Sequence, residues 1–439
     1  MANPVVTLFR IPEVKSKIVF TLVCLVIYRL GAHIAAPGID VEALRAYAGQ
    51  LQGTVFGIYD MFVGGGLSKA TVFALGIMPY ISASIMFQLL AAVFPKIEKM
   101  QKEGEDGRKK LTQYTRYAAV SLAIVQAIGY SKFLEGIPGA VARPGLGFTV
   151  LMVLTLTTGA VFIMWLGEQI TERGIGNGMS LLIFFSIIEA LPTALIETAR
   201  LVRLGEVSVM ALVLMLGIMV LVIAATVAVT MAARKIPVQI PRKVMGKGRI
   251  REGQKSFVPL RINSAGVMPI IFAQSIVIVP STLSTFSDSR FLAEVSRVFQ
   301  YGTVWYYATF ALLVIFFTYF YTAIVFNPVD LAENLKKQGA FVPGVKPGAR
   351  TAEYIDRVLT RITLPGSIFL AAIAIVPGII LDRVGVAILG GILGGTGVLI
   401  MVGVALDTVQ QLQQHLLLRR YDGFMKRGRV KLRGRQPYM

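Results

Sequence analysis

Four stretches of 26, 27, 26 and 32 residues carry no charged side chain: those between Lys69 and Lys96, Glu206 and Arg234, Arg261 and Asp288, and Arg297 and Asp330. About 20 mostly apolar residues in a helix cross the hydrocarbon of a bilayer, where every backbone polar group must be bonded internally. Each stretch therefore holds one span. Shorter uncharged runs at 149–167, 362–381 and 384–406 add three more, the last two separated by a tight Asp382-Arg383 turn, and weaker candidates lie at 18–36, 116–134 and 179–198. The expected fold is all-α, a polytopic membrane protein with ten transmembrane helices: 18–36, 71–94, 116–134, 149–168, 179–198, 208–231, 265–284, 304–326, 363–381 and 385–406. The first segment is long for the apolar core of a cleaved signal peptide, contains Arg29 and is followed by no clear cleavage pattern, so it reads as a permanent span.

Composition agrees, with 55% hydrophobic and only 15% charged residues, against roughly 25% charged in an average soluble domain. That excludes a disordered chain and an ordinary soluble enzyme. The formal charge is nevertheless +20, and it must sit outside the lipid. With span-end charges assigned to the nearer loop, the termini and even-numbered loops hold 34 of the 44 Lys and Arg and 14 of the 24 acids. The odd-numbered loops hold 9 of each, so one side nets +20 and the other zero. The preference for basic residues on the inner face makes the basic side, with both termini, cytoplasmic.

That charge gathers in 95–115, 232–262, 327–362 and a basic tail within 407–439. Loop 232–262 has nine basic residues against Glu252 alone, and its prolines and glycines break any long helix, so it reads as a protruding basic loop or hairpin. Topology enforcement and attraction to anionic lipid account for part of the charge. The remainder suits an anionic partner, either an RNA surface or an acidic protein face.

Ten spans divide into two halves of five, 1–203 and 204–439, and an odd number per half turns the second half upside down. A long loop follows the first span outside (37–70) and another follows the sixth inside (232–264). Inverted repeats place a working site at their interface near mid-membrane. A secondary transporter would need ionisable residues there, and the spans offer only Arg29 and Glu189, each near the exterior, where a long side chain reaches the interface by snorkelling. An ion-coupled transporter is the alternative reading. An intramembrane enzyme lacks support: no Gly-x-Ser-x-Gly elbow, His-Glu-x-x-His pair or nucleotide-binding P-loop is present, and one cysteine with two histidines offers no metal site. Neither catalysis nor a cofactor is expected.

Unusual features lie elsewhere. GIYDMFVGGGLSKA (57–70) is small, flexible and only modestly apolar, and Gly64, Gly65 and Gly66 favour a sharp bend. It reads either as a plain exterior loop or as a poorly anchored segment able to enter and leave a cavity. The second span opens GIMPYISASI (76–85), with Ile77 and Ile81 on one face across Pro79, and the seventh opens NSAGVMPIIFAQSI (263–276) in similar style.

With WLGEQITERGIGNGMS (165–180), FNPVDLAENLKKQGAFVPGVKPG (326–348) and LGGTGVLIMVGVALDT (393–408), these blocks resemble, in order and over essentially the whole chain, the SecY family of channel-forming subunits of the protein translocase. The resemblance implies an hourglass channel between inverted halves in the bacterial cytoplasmic membrane. It passes unfolded secretory polypeptides and releases apolar segments into the lipid bilayer between the second and seventh spans. By local block its apolar ring falls on Ile77, Ile81, Ile183, Ile271 and Ile400, with Val279 as a sixth position. Its plug falls on 57–70, with Tyr59, Asp60, Met61, Phe62 and the three glycines, and polar gate positions on Ser82, Gln88 and Asn263. Implied partners are the small membrane subunits SecE and SecG, the SecA motor ATPase and the ribosome, docking through Arg242, Lys243, Lys247, Arg249, Arg251, Lys346 and Arg350. Where the family commonly has Gly-x-Arg-Pro-Gly, this chain has Gly344-Val345-Lys346-Pro347-Gly348, which keeps charge and loses the planar guanidinium fork.

Overall fold

Helix boundaries follow local chemistry. The side chain of Asn177 accepts bonds from the amides of Met179 and Ser180, that of Ser208 from Ala211, Thr303 from Tyr306 and Asn327 from Val329, so each caps the helix it precedes. Proline punctuates the second span. Pro79 occupies the first turn, where its missing N–H costs nothing, and Pro95 forces Phe94 into an extended conformation that ends the helix. The next helix leaves at 110°.

The computed structural model describes residues 12–48, 55–239, 243–245, 249–251, 255–285, 294, 302–384 and 394–427. In chain order these form α1 (Pro12–Gly31), α2 (Val41–Ala48), α3 (Val55–Phe62), α4 (Met78–Val93), α5 (Pro95–Lys102), α6 (Glu105–Glu135), α7 (Leu146–Arg173), α8 (Gly178–Arg203) and α9 (Val209–Met231). Strands β1 (Ala233–Gln239), β2 (Lys243–Met245), β3 (Arg249–Arg251) and β4 (Lys255–Arg261) come next. The chain continues with α10 (Met268–Thr285), α11 (Val304–Val325), α12 (Pro328–Lys337), α13 (Ala349–Val384) and α14 (Gly395–Arg427).

Every expected span overlaps one of these helices. Among the described residues, seven helices are long and apolar enough to cross a bilayer alone, and the bent α4–α5 pair makes an eighth. Of the other two, α1 falls short because it opens with Glu13, Lys15 and Lys17, and the described side chains of α10 cover Met268–Ile278 alone. Boundaries differ from the sequence expectation: the second span's helix begins at Met78 and not at 71, α1 ends at Gly31 and not at 36, α6 begins at Glu105 and α14 runs on to Arg427. Asp382 and Arg383 form no turn but lie in the last turn of α13, which extends to Val384. Charge there marks the end of the apolar face, not of the helix.

Helix packing repeats between the two parts of the chain. α4 packs on α6, α6 on α7 and α7 on α8, while α1 lies against α7 and α8. In the same order α10 packs on α11, α11 on α13 and α13 on α14, while α9 lies against α13 and α14. The two sets meet where α3 and α4 touch α10 and where α8 touches α14.

On the basic side, β1 and β4 form an antiparallel hairpin from Ala233↔Arg261 to Gln239↔Lys255, and β2 pairs with β3 beyond it. Gln239 also bridges Phe341. Ile236, Val238 and Leu260 of the hairpin share a small core with Leu335, Ala340, Val342 and Ile355. The two long basic loops, separate in the sequence, are thus one packed unit.

Candidate functional site: the interface of the two helix sets

The five isoleucines expected at the waist come from four elements. Ile77 is the N-cap residue of α4 and Ile81 lies one turn on, its amide bonded to the Ile77 carbonyl. Ile183 sits on α8, Ile271 on α10 and Ile400 on α14. None is more than 6% exposed, and all five belong to one contiguous apolar cluster. Val279 lies on α10, and its side chain is outside the described residues. Close approach of the backbones brings the helices in. A Cβ on Gly178, at the start of α8, would sit 2.0 Å from the carbonyl oxygen of Gly167 on α7, so only glycine permits that crossing.

The glycine-rich segment is more ordered than its composition suggests. Its first part is helix α3, and Phe62 at the end of that helix is buried in the same cluster as the isoleucines. Gly64 and Gly65 follow with φ of +72° and +73°, the left-handed region that suits glycine. The turn they make is held by side chains. Asp60 Oδ1 accepts bonds from the amides of Leu67 (2.8 Å) and Ser68 (2.9 Å). The Tyr130 hydroxyl of α6 donates to the Leu67 carbonyl (2.5 Å), the Tyr59 hydroxyl to the Leu75 carbonyl and the Tyr28 hydroxyl of α1 to the Val63 carbonyl, the last two at 3.4 Å. Tyr28 also shares a 2.7 Å bond with Ser186 of α8. The expectation of a poorly anchored segment is therefore corrected, because donors far away in sequence bind its carbonyls. Gly66 lies within this turn, and the side chain of Met61 is outside the described residues.

The polar gate positions do not join one another. Ser82 is half-buried on α4, Gln88 donates to Ser84 on its own helix (3.1 Å) and Asn263, just before α10, donates to the Gly266 carbonyl (3.1 Å). No hydrogen bond links the three among the described residues.

Arg29 and Glu189 do not snorkel independently. They form an ion pair between α1 and α8, because pairing removes the cost of either charge alone in a half-dry setting. Arg116 and Glu168 likewise pair between α6 and α7 at 2.7 Å. Sequence reasoning missed both pairs and the three tyrosine grips. A tyrosine or charge inside an apolar run signals that some partner exists, but Glu189 for Arg29 and Ser186 for Tyr28 lie some 160 residues away, and Val63 for Tyr28 lies 35 away.

Of the basic positions, Lys346, between α12 and α13, and Arg350, in the first turn of α13, are exposed. Lys243, Arg249 and Arg251 lie on the paired strands β2 and β3, with Lys243 opposite Arg251 and their side chains outside the described residues, as are Arg242 and Lys247 altogether.

The family model described as SecY matches residues 71–409. The chain belongs to the SecY family. It is 42% identical to the protein translocase subunit SecY of Aquifex aeolicus, covering 97% of this chain and 100% of that one. Identity to the corresponding Escherichia coli K12 subunit is 42%, over 96% of each chain. For the Streptomyces griseus subunit it is 44%, over 95% and 98%. Among solved structures, a protein-conducting channel superposes with a TM-score of 0.65 at 17% identity, over 95% of each chain. Sec61 in a canine ribosome-channel complex gives 0.60 at 16%, again over 95% of each. At those identities the likeness shows the fold. Membership in SecY makes this chain a multi-pass protein of the bacterial inner membrane and a translocase channel subunit.

Proposed function

We propose that the chain forms the conduit of a protein translocase, threading unfolded polypeptides between its two helix sets and releasing apolar segments sideways between α4 and α10. The observation that carries this reading is the clustering of Ile77, Ile81, Ile183, Ile271 and Ile400, from four helices and both sets, with Phe62 of α3 packed in the same cluster. An unfolded client presents every kind of side chain, so polar recognition in the throat would trap it. Branched aliphatic groups offer non-binding contact, close around a moving chain and resist wetting when narrow, which holds back ions. Helix α3 and the turn at 63–70 serve as a second seal, the plug. Lateral release needs no covalent step, since burying hydrocarbon is favourable by about 25 cal/mol per Å².

Residues 1–203 and 204–439 act as the two halves, with the turn between α8 and α9 as the hinge. Ser82, Gln88 and Asn263 line the gate. The excess of basic residues supports cytoplasmic termini. The packed unit of hairpin and 327–362 loop, with Lys346 and Arg350 exposed and the charges of β2 and β3 beyond, suits an acidic motor face or ribosomal RNA. A ribosome complex is named for the Sec61 neighbour, and SecA, SecE and SecG are the partners that the family resemblance implies. The transporter alternative loses its footing, because its candidate ionisable residues, Arg29 and Glu189, neutralise each other.

The test traps a stalled secretory chain in the complex and places photoreactive or cysteine crosslinkers at Ile77 and Ile183. Both should crosslink to the client. A client that labels only exposed outer positions such as Ile368 would overturn the reading.

A further inference from the structure

The plug segment is not one body. The fully buried side chains on either side of Gly64 and Gly65 belong to different cores, while half-buried Tyr59 of α3 packs against both. Phe62 packs with the waist isoleucines, whereas Leu67 and Ala70 pack with Tyr130, Leu134, Met152 and Leu156 of α6 and α7. The second part is also fastened to the scaffold through its backbone. Its Leu67 carbonyl takes the Tyr130 hydroxyl, the Ala36 amide donates to the Ala70 carbonyl (2.8 Å), and Ala35 bridges Thr71 as in a short antiparallel strand pair. Only a few bonds cross from the first part to the second. The chief side-chain contribution is Asp60 Oδ1 on the amides of Leu67 and Ser68, beside a 2.8 Å backbone bond from the Gly65 amide to the Asp60 carbonyl.

We propose that Asp60 is a positioning residue that latches a moving helix, α3, to a stationary rim, residues 66–70, and that the seal opens by breaking this latch about Gly64 and Gly65. The inference rests on the reading of 57–70 as the plug. Two left-handed glycines can change backbone angles with little steric resistance, so motion concentrates there. The rim would have to leave a buried core and forfeit its bonds to α6 and to residues 35–36, whereas α3 gives up the long 3.4 Å Tyr59–Leu75 bond and leaves a waist that the client itself refills. The accepting atom of the latch is a single carboxyl oxygen. An asparagine retains that atom and an alanine does not, which separates the latch from mere filling of space.

The experiment uses the complete translocase complex in lipid nanodiscs, on a Cys24→Ser background, with Phe62→Cys and Ser68→Cys made separately. A water-soluble maleimide reports access at each position, with and without a stalled client. We expect the client to speed labelling at position 62 by about tenfold or more and at position 68 by less than about twofold, since the latch side leaves an apolar core and the rim stays in one. Without client, Asp60→Ala should speed labelling at position 62 by about thirtyfold, the shift that two lost hydrogen bonds of ordinary strength produce, while Asp60→Asn should not. Parallel acceleration at 62 and 68 would overturn the stationary rim and leave the plug reading standing. No acceleration at either would overturn both. Equal effects of Asp60→Ala and Asp60→Asn would remove the latch role from Asp60.

Discussion

Truncating Ile271 to alanine tests whether the aliphatic waist seals the resting channel. Ile271 is 3% exposed on α10 and packs within the cluster that holds Ile77, Ile81, Ile183 and Ile400. The change removes three carbons, about 2.4 kcal/mol at roughly 0.8 kcal/mol per buried methylene, before any cavity penalty. A closed waist keeps these carbons dry and an open one wets them, so the loss falls on the closed state. At 1.36 kcal/mol per decade, about 2.4 kcal/mol shifts the closed-to-open ratio by roughly 60-fold. Ile368 on α13 supplies the control, since it is 52% exposed and lies outside the cluster. Planar-bilayer recordings without client or partner should show a large rise in resting conductance for Ile271→Ala and none for Ile368→Ala. Equal conductance from the two variants would refute the seal.

Three further outcomes follow from particular contacts. Lys346→Glu with Arg350→Glu should weaken binding of the motor or of ribosomes by about tenfold or more at low salt, where charge contacts between exposed surfaces are strongest. Sedimentation would read it, and the melting temperature should hold because both side chains are exposed. Glu189→Gln should lower thermal stability by about 1–3 kcal/mol, and adding Arg29→Met should restore most of it, because the damage comes from a charge left without its partner. Finally, burial raises the Asp60 carboxyl above its ordinary value of 3.8, opposed by the bonds from Ser68 and Leu67 and by the Lys69 charge. The docked helix therefore holds a proton more tightly than the undocked one. Docking is strongest below 3.8 and weakens as pH rises through the raised value. Lys69 is the cation beside it, burial raises the Tyr59 hydroxyl above its ordinary value of 10, and the Tyr130 hydroxyl lies near it. Labelling at position 62 should thus rise with pH and lose that slope in Asp60→Asn.

Much of the architecture was legible in the chain because a membrane imposes one-dimensional rules. Span positions follow from runs without charge, and the repeat follows from an odd number of spans per half. The ends of α4 follow from Pro79 and Pro95, whose effects on φ and on the N–H are local. The waist was harder. Nothing in the periodicity of Ile183 or Ile400 separates a pore-facing isoleucine from a lipid-facing one, so those positions came from family resemblance, and only packing shows them in one cluster. The hairpin at 233–261 could be read as a loop or a ladder until its register with β4 and its bridge to Phe341 were in view.

By itself the sequence determined what lipid and water enforce along a line: which segments are apolar enough for hydrocarbon, how the charge divides among the loops, and where prolines and capping side chains bound a helix. Tertiary structure decided what depends on partners far apart in the chain. It paired Arg29 with Glu189, set Tyr28 and Tyr130 on plug carbonyls, merged two basic loops into one unit and divided the glycine-rich segment between two cores. The physical reason is that hydration and backbone bonding act on each residue where it stands, whereas a hydrogen bond, an ion pair or a packed core exists only once two distant surfaces meet.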